Sequence, residues 1–146
     1  MVRFLVMSIW FKSYTLDDIN QRSANTLADF MGIRFSSIQD DALIAVMPVT
    51  STIKQPIGIV HGGANVVLAE TVASTAANLV LDIEKYYAVG LEININHIRS
   101  VREGQITAKT WPLHLGRSTS VWQIELQDES QRLTAVSRMT ASILAR

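Results

Sequence analysis

Glu70 is the single charged residue among the 20 positions between His61 and Asp82, and the run opens with His61-Gly62-Gly63. A carboxylate inside an apolar segment is costly to bury without partners, so it shifts its pKa or is there for use. The His-Gly-Gly turn stands where a helix would begin. The first four N–H groups of a helix have no acceptor within it, and the helix dipole adds roughly half a positive charge there. Such donors can polarise a carbonyl, and glycines at 62 and 63 would let it approach the main chain closely. The chemistry these features suit is attack on a polarised carbonyl carbon. Glu70 would act as nucleophile, through a mixed anhydride, or as general base toward water. The plainer alternative makes the glycines a tight loop-to-helix turn and Glu70 a structural or solvent-facing carboxylate.

Three further side chains could join in. Ser74 follows Glu70 by four residues and shares its helix face, where it could orient water, hold the carboxylate, or simply pack. Gln55 precedes His61 by six residues, and its amide could donate to the nucleophile or the substrate; as a loop residue it could equally face water. His61 could orient the turn or the leaving-group region, or cap the helix.

The spacing carries a further consequence. Glu70 lies seven or eight positions beyond the glycines, which is about 10–12 Å along a helix axis. A reacting carbonyl carbon must sit about 3 Å from both nucleophile and clamp. One helix cannot do this, but two antiparallel copies can. The spacing therefore predicts a two-fold homodimer with two composite sites at its interface.

Composition narrows the alternatives. The chain has 146 residues, 48% hydrophobic and 18% charged, which suits a single domain over 1–146 with a substantial core. Its formal net charge is zero, with scattered Lys and Arg, which argues against nucleic acid or an anionic membrane as partner. There are no cysteines, which excludes disulfides, zinc-thiolate sites and Cys nucleophiles. The three histidines, His61, His97 and His114, lack ligand spacing, so no metal site is expected. The apolar N-terminal run is too short to span a bilayer, and no cleavage site follows it; it reads as an edge segment or as sequence upstream of a start at Met7. Asn65, Glu70, Ser74 and Asn78 mark the long apolar run as a core helix, and the protein is read as cytoplasmic.

The elements that must hold these residues are legible in part. Residues 15–25 read as a helix capped by Thr15 with Asp18 three positions on, and 26–31 as a short turn ending at Gly32. Strands are expected over 33–39 and 43–49, joined at Asp40-Asp41, then a loop over 50–60 and the long helix over 63–81. Tyr87, Val89, Leu91, Ile93 and Ile95 alternate with smaller or polar residues as one strand. Strands over 105–115, broken or bent at Pro112, over 118–127 and over 133–144 complete the chain. Trp111, Trp122 and Tyr86 are expected in core or interface packing. Short turns imply antiparallel pairing, so the fold class is α+β in two layers, with a curved sheet wrapped around the apolar helix.

This shape resembles the hotdog fold. The residues that carry the likeness are Gln55-Pro56, His61-Gly62-Gly63, Ala69-Glu70 with Ser74, Val89-Gly90-Leu91-Glu92-Ile93-Asn94, Asn96-His97 and Pro112 to Gly116. They resemble the acyl-CoA thioesterases of the phenylacetate and 4-hydroxybenzoyl-CoA group, with the nearest likeness to the 1,4-dihydroxy-2-naphthoyl-CoA hydrolases of menaquinone or phylloquinone synthesis. The enterobactin-pathway proofreading thioesterase is a near relative.

The resemblance implies hydrolysis of an aromatic or fused-ring acyl-CoA, with no cofactor beyond the coenzyme A carried by the substrate. It implies Glu70, Gln55, His61, Gly62 and Ser74 as the catalytic set, and a dimer often doubled into a homotetramer. It also implies that the pantetheine and nucleotide run along Gly63, Gly90, His97, Ile98, Arg99, Ser100, His114, Leu115, Gly116, Arg117, Ser118 and Thr119. Physical reading agrees in part: Gly90 leaves room for a passing chain, and Arg99 and Arg117 can meet phosphates. Two other classes stay open: a non-catalytic acyl-CoA sensor, and a thioesterase acting on an aryl carrier protein.

Overall fold

Thr15 caps the first helix as its sequence predicts. In the structure, a computed structural model that describes residues 8–146, its hydroxyl accepts from the Asp18 N–H, and the Asp18 carboxylate reaches back to the Thr15 N–H. Helix α1 spans Leu16–Arg22, shorter than expected. The chain tightens at Ser23, and Asn25 turns left-handed with φ of 60°, which a continuing helix does not allow. Helix α2 is Leu27–Phe30, and Gly32, at φ of 71°, ends that turn as expected. The segment 1–7, on which the reading of a start at Met7 falls, lies outside the described residues. Ile9 and Trp10 pack against the core.

Six strands follow: β1 Arg34–Ile38, β2 Leu43–Pro48, β3 Tyr86–His97, β4 Gln105–Leu115, β5 Thr119–Gln127 and β6 Leu133–Ala145. They form one antiparallel sheet in the order β1-β2-β4-β5-β6-β3, which leaves β3 at an edge. The long helix α3, Gly62–Leu79, lies against β2, β3, β4, β5 and β6. This is the hotdog arrangement. Leu68, Ala69, Val72, Ala73 and Ala76 of α3 are fully buried, as are Trp122, Ile124 and Leu126 of β5 beneath them. Trp122 donates its indole N–H to Ser120 inside this core. Tyr86 is instead well exposed and Trp111 half-buried, so only Trp122 is a core residue in the chain by itself. No helix among the described residues is long and apolar enough to cross a membrane.

Helix α3 stops at Leu79 rather than Leu81, because the Leu81 N–H turns back to the Asn78 carbonyl and tightens the last turn. The bend expected at Pro112 is a bulge between Pro112 and His114, and the strand runs through it. Strand β2 pairs with β4 only as far as Thr110, so Pro112 lies in a stretch paired on the β5 side alone.

Strand β3 departs most from its expected pattern. Its apolar residues alternate without interruption in sequence, yet a register shift between Gly90 and Glu92 makes Leu91 an extra residue. Before the bulge, Ala88 faces the core while Val89 and Leu91 are exposed; after it, Ile93 and Ile95 pack inward. The inward face thus passes from even-numbered to odd-numbered positions at one point.

Leu68 is fully buried at the middle of α3 against the sheet. Leu68→Ala should lower the unfolding free energy by about 2–5 kcal/mol, read by urea denaturation.

Candidate active site

The loop before α3 is tied down at several points. The Gln55 N–H donates to the Ile59 carbonyl, Lys54 and Val60 form an isolated bridge, and the Val60 N–H reaches the Val101 carbonyl. The His61 N–H donates to Ile53. These bonds set Gln55 beside the helix start, where a cleft of about 250 Å³ is lined by Gln55, Gly62, Asn65, His97 and Ser100, among others.

The donors at that start are not equivalent. His61 is the N-cap, and its Nδ1 accepts from the Gly63 N–H at 2.8 Å, which leaves Nε2 as the ring's donor. The Ala64 N–H donates to the His61 carbonyl. Gly62 is left with an N–H that has no acceptor among the described residues, and the Gln55 side-chain amide is also unengaged. The Gly63 N–H, in the turn expected against the substrate, is thus taken up by the cap, and the His61 ring is the group that holds it. His97 closes the other side. A Cβ built on Gly62 would lie 2.9 Å from His97 Nε2, so any other residue there would push the imidazole aside. Asn65, which sequence reasoning used only to mark the helix as a core element, stands 3.4 Å from His97 Nδ1.

Glu70 projects from the middle of α3, half-buried, with no hydrogen-bond or ion-pair partner among the described residues. Burial alone pushes its carboxyl above the ordinary glutamate value. Its neighbour across the layer is Gly90, where any Cβ would collide with Glu70 Oε1. The reading of Gly90 as room for a coenzyme chain gains a second account: the missing side chain makes room for the carboxylate. The bulge that follows it leaves Gly90 on the inward face. Ser74 shares the Glu70 face, but its hydroxyl makes no bond to that carboxylate; it lines a separate cleft of about 220 Å³ with Arg22 and Asn78.

The residues expected along the coenzyme separate into two groups. Ile98 and Arg99 donate their N–H groups to the Thr134 carbonyl, and the Arg99 guanidinium donates to Leu133 at 2.8 Å, so this arginine is partly engaged. His97 and Ser100 stay at the cleft. His114, Leu115, Gly116, Arg117, Ser118 and Thr119 lie at the β4–β5 turn, which the Gly116 N–H closes onto Thr119. The His114 row continues through Val121 and Thr140 to Glu92, five rows short of His97 and three ladders away. At strand spacings that is about 20 Å. One chain does not bring the two groups together, nor does it bring Gly62 to Glu70, eight residues further along the same helix.

Comparison with known proteins gives a consistent result. Residues 57–135 match the thioesterase superfamily. The chain is 49% identical over 136 residues to the 1,4-dihydroxy-2-naphthoyl-CoA hydrolase of Escherichia coli K12, covering 93% of this chain and 99% of that one. It is 39% identical to the proofreading thioesterase EntH of Cronobacter turicensis, covering 93% and 98%. A crystal structure of a mutant thioesterase from Pseudomonas aeruginosa superposes with a TM-score of 0.94 at 41% identity, covering 95% of this chain and all of that one. The unpartnered helix-start donor, the free carboxylate and these likenesses agree, and the chain belongs to the thioesterase superfamily.

Proposed function

We propose that this protein hydrolyses an aromatic or fused-ring acyl-CoA thioester, at two sites each built from two chains. The observation that carries the reading is a division of labour on one helix: a free N–H at Gly62, and an unpartnered, half-buried carboxylate about 12 Å further on. The Gly62 N–H and the Gln55 amide of one chain polarise the thioester carbonyl. Glu70 of the partner subunit then takes the proton from an attacking water, or attacks the carbonyl carbon to form an anhydride that water opens. In either case the C–S bond breaks, the sulfur leaves and takes up a proton, and the products are the carboxylic acid and the free thiol. His97 and Arg99 of one chain, with the β4–β5 turn of the other, are offered to the coenzyme. The 49% identity to a naphthoyl-CoA hydrolase supports a fused-ring acyl group. A coenzyme A substrate suits a cytoplasmic protein.

The edge position of β3 supports a specific dimer. Gly90 marks the place of Glu70, and His97 marks that of Gly62. Bringing Glu70 to the partner's Gly62 requires Gly90 opposite the partner's His97 in an antiparallel β3–β3 pair. The facing is consistent, since both residues lie on the inward side. Counting ladder rows with Leu91 as the bulged residue puts the two-fold axis beside Asn94 and sets Ile93 against the partner's Ile95. Further pairing into a homotetramer leaves these sites unchanged.

The activity is tested with benzoyl-CoA, 2-naphthoyl-CoA and lauroyl-CoA, following thiol release. The aryl thioesters should turn over faster, and Glu70→Gln should lower kcat by about 10²–10⁴-fold. A wild type that binds an aryl-CoA but hydrolyses none would show a sensor instead. Because Glu70 works as the carboxylate and burial raises its pKa, activity should fall as pH drops through a midpoint above the ordinary 4.5. Gly90→Ala, which drives a methyl into Glu70, should cost about 10-fold or more in kcat in a protein that still folds. The chain has no cysteine, so Asn94→Cys introduces one thiol per chain. At a cross-strand Cβ separation of about 5 Å it should oxidise to a covalent dimer on a non-reducing gel. A monomer in solution with full activity would sink the composite site.

A further inference from the structure

Asn78 is where α3 grips the edge strand. Its Oδ1 accepts from the Ala88 N–H at 2.9 Å, and its Nδ2 donates to the Ala88 carbonyl at 3.0 Å and to the Ser74 carbonyl at 2.9 Å. A side-chain amide that meets both main-chain groups of one residue acts as a short added strand, and it satisfies a strand segment where β3 runs along the edge of the sheet. Ala88 is buried and lies two residues before Gly90. Asn78 lies eight residues after Glu70, a little over two turns along α3 and about 80° round it, so the two stand on adjoining faces of the helix. The two contacts of α3 with this part of β3 are thus an amide that holds the strand and a carboxylate resting over its glycine.

We infer that Asn78 is a positioning residue for Glu70: it holds β3 at the depth and rotation that keep Gly90 beneath the carboxylate. The inference rests on reading Glu70 as the reacting group. Without the clamp, the start of β3 is free to move off the helix, water enters beside Glu70, and the carboxylate loses the surface that aims it. Among the described residues no charged side chain pairs with Glu70, and burial is the cause of its raised pKa. Arg22 of α1 shares the neighbouring cleft with Ser74 and Asn78.

The test compares the full-length wild type with Asn78→Ala, Asn78→Asp and Glu70→Gln, using 2-naphthoyl-CoA or whichever panel thioester the wild type hydrolyses fastest. Asn78→Ala should lower kcat about 10- to 100-fold, as a displaced reacting group does. Its KM should stay within about threefold, because the coenzyme contacts lie elsewhere. The acid limb of its pH–rate profile should move down toward that of an ordinary glutamate. Asn78→Asp keeps the acceptor for the Ala88 N–H and loses the donor to the Ala88 and Ser74 carbonyls, so its kcat should also fall. A folded Asn78→Ala with wild-type kcat and an unmoved acid limb overturns the inference, even with a lowered melting temperature. Should Asn78→Ala fail to fold, Asn78→Asp is judged by the same two readouts. Glu70→Gln separates the layers: if it stays active, the reading of Glu70 fails; if it is inert while Asn78→Ala is normal, only the positioning role fails.

Discussion

A carboxylate with no partner, held on a helix that is covered on most sides, is the constraint around which the rest of this structure is arranged. Glu70 gains nothing from hydrogen bonds or ion pairs with the described residues of its own chain, and burial makes its charged form costly. The surroundings spare it a steric conflict rather than offering it a bond. Gly90 withholds a side chain, and the bulge after it keeps that glycine facing the helix while restoring Ile93 and Ile95 to the core. A regular strand could not do both, because a period of two would carry one of these sets to the outer face.

The helix start is arranged by subtraction in the same way. A helix opens with several unused N–H groups, which would make an unselective anion site. Here the His61 ring takes the Gly63 N–H and the His61 carbonyl takes that of Ala64, which leaves Gly62. The cap therefore leaves a single main-chain donor rather than a cluster, and the pinned loop sets the Gln55 amide beside it. Since the two ends of the proposed chemistry lie about 12 Å apart along α3, that chemistry depends on a second chain.

Much of this was legible in the sequence because it is local. The capping box at Thr15 and Asp18, the left-handed Gly32, the period of β5 and the single carboxylate in the α3 run depend on neighbours within a few residues. The α+β class follows from the switch of period after α3. The bulge at Leu91 was not legible, since Val89, Leu91, Ile93 and Ile95 look like unbroken alternation; what decides it is pairing with β6, far along the chain. The clamp by Asn78 left only a faint trace, a polar residue one turn past Ser74 in an apolar helix.

The sequence by itself determined which chemistry is available: a carboxylate, a glycine turn at a helix start, and a separation between them that one helix cannot close. Residue type and helical rise settle those points without any knowledge of the fold. Packing and strand pairing settle which N–H stays free, which glycine makes room for the carboxylate, and that the two segments expected along the coenzyme stand about 20 Å apart in one chain. Those are matters of register and of contacts between distant segments, and an amino-acid pattern carries no information about register until strands pair.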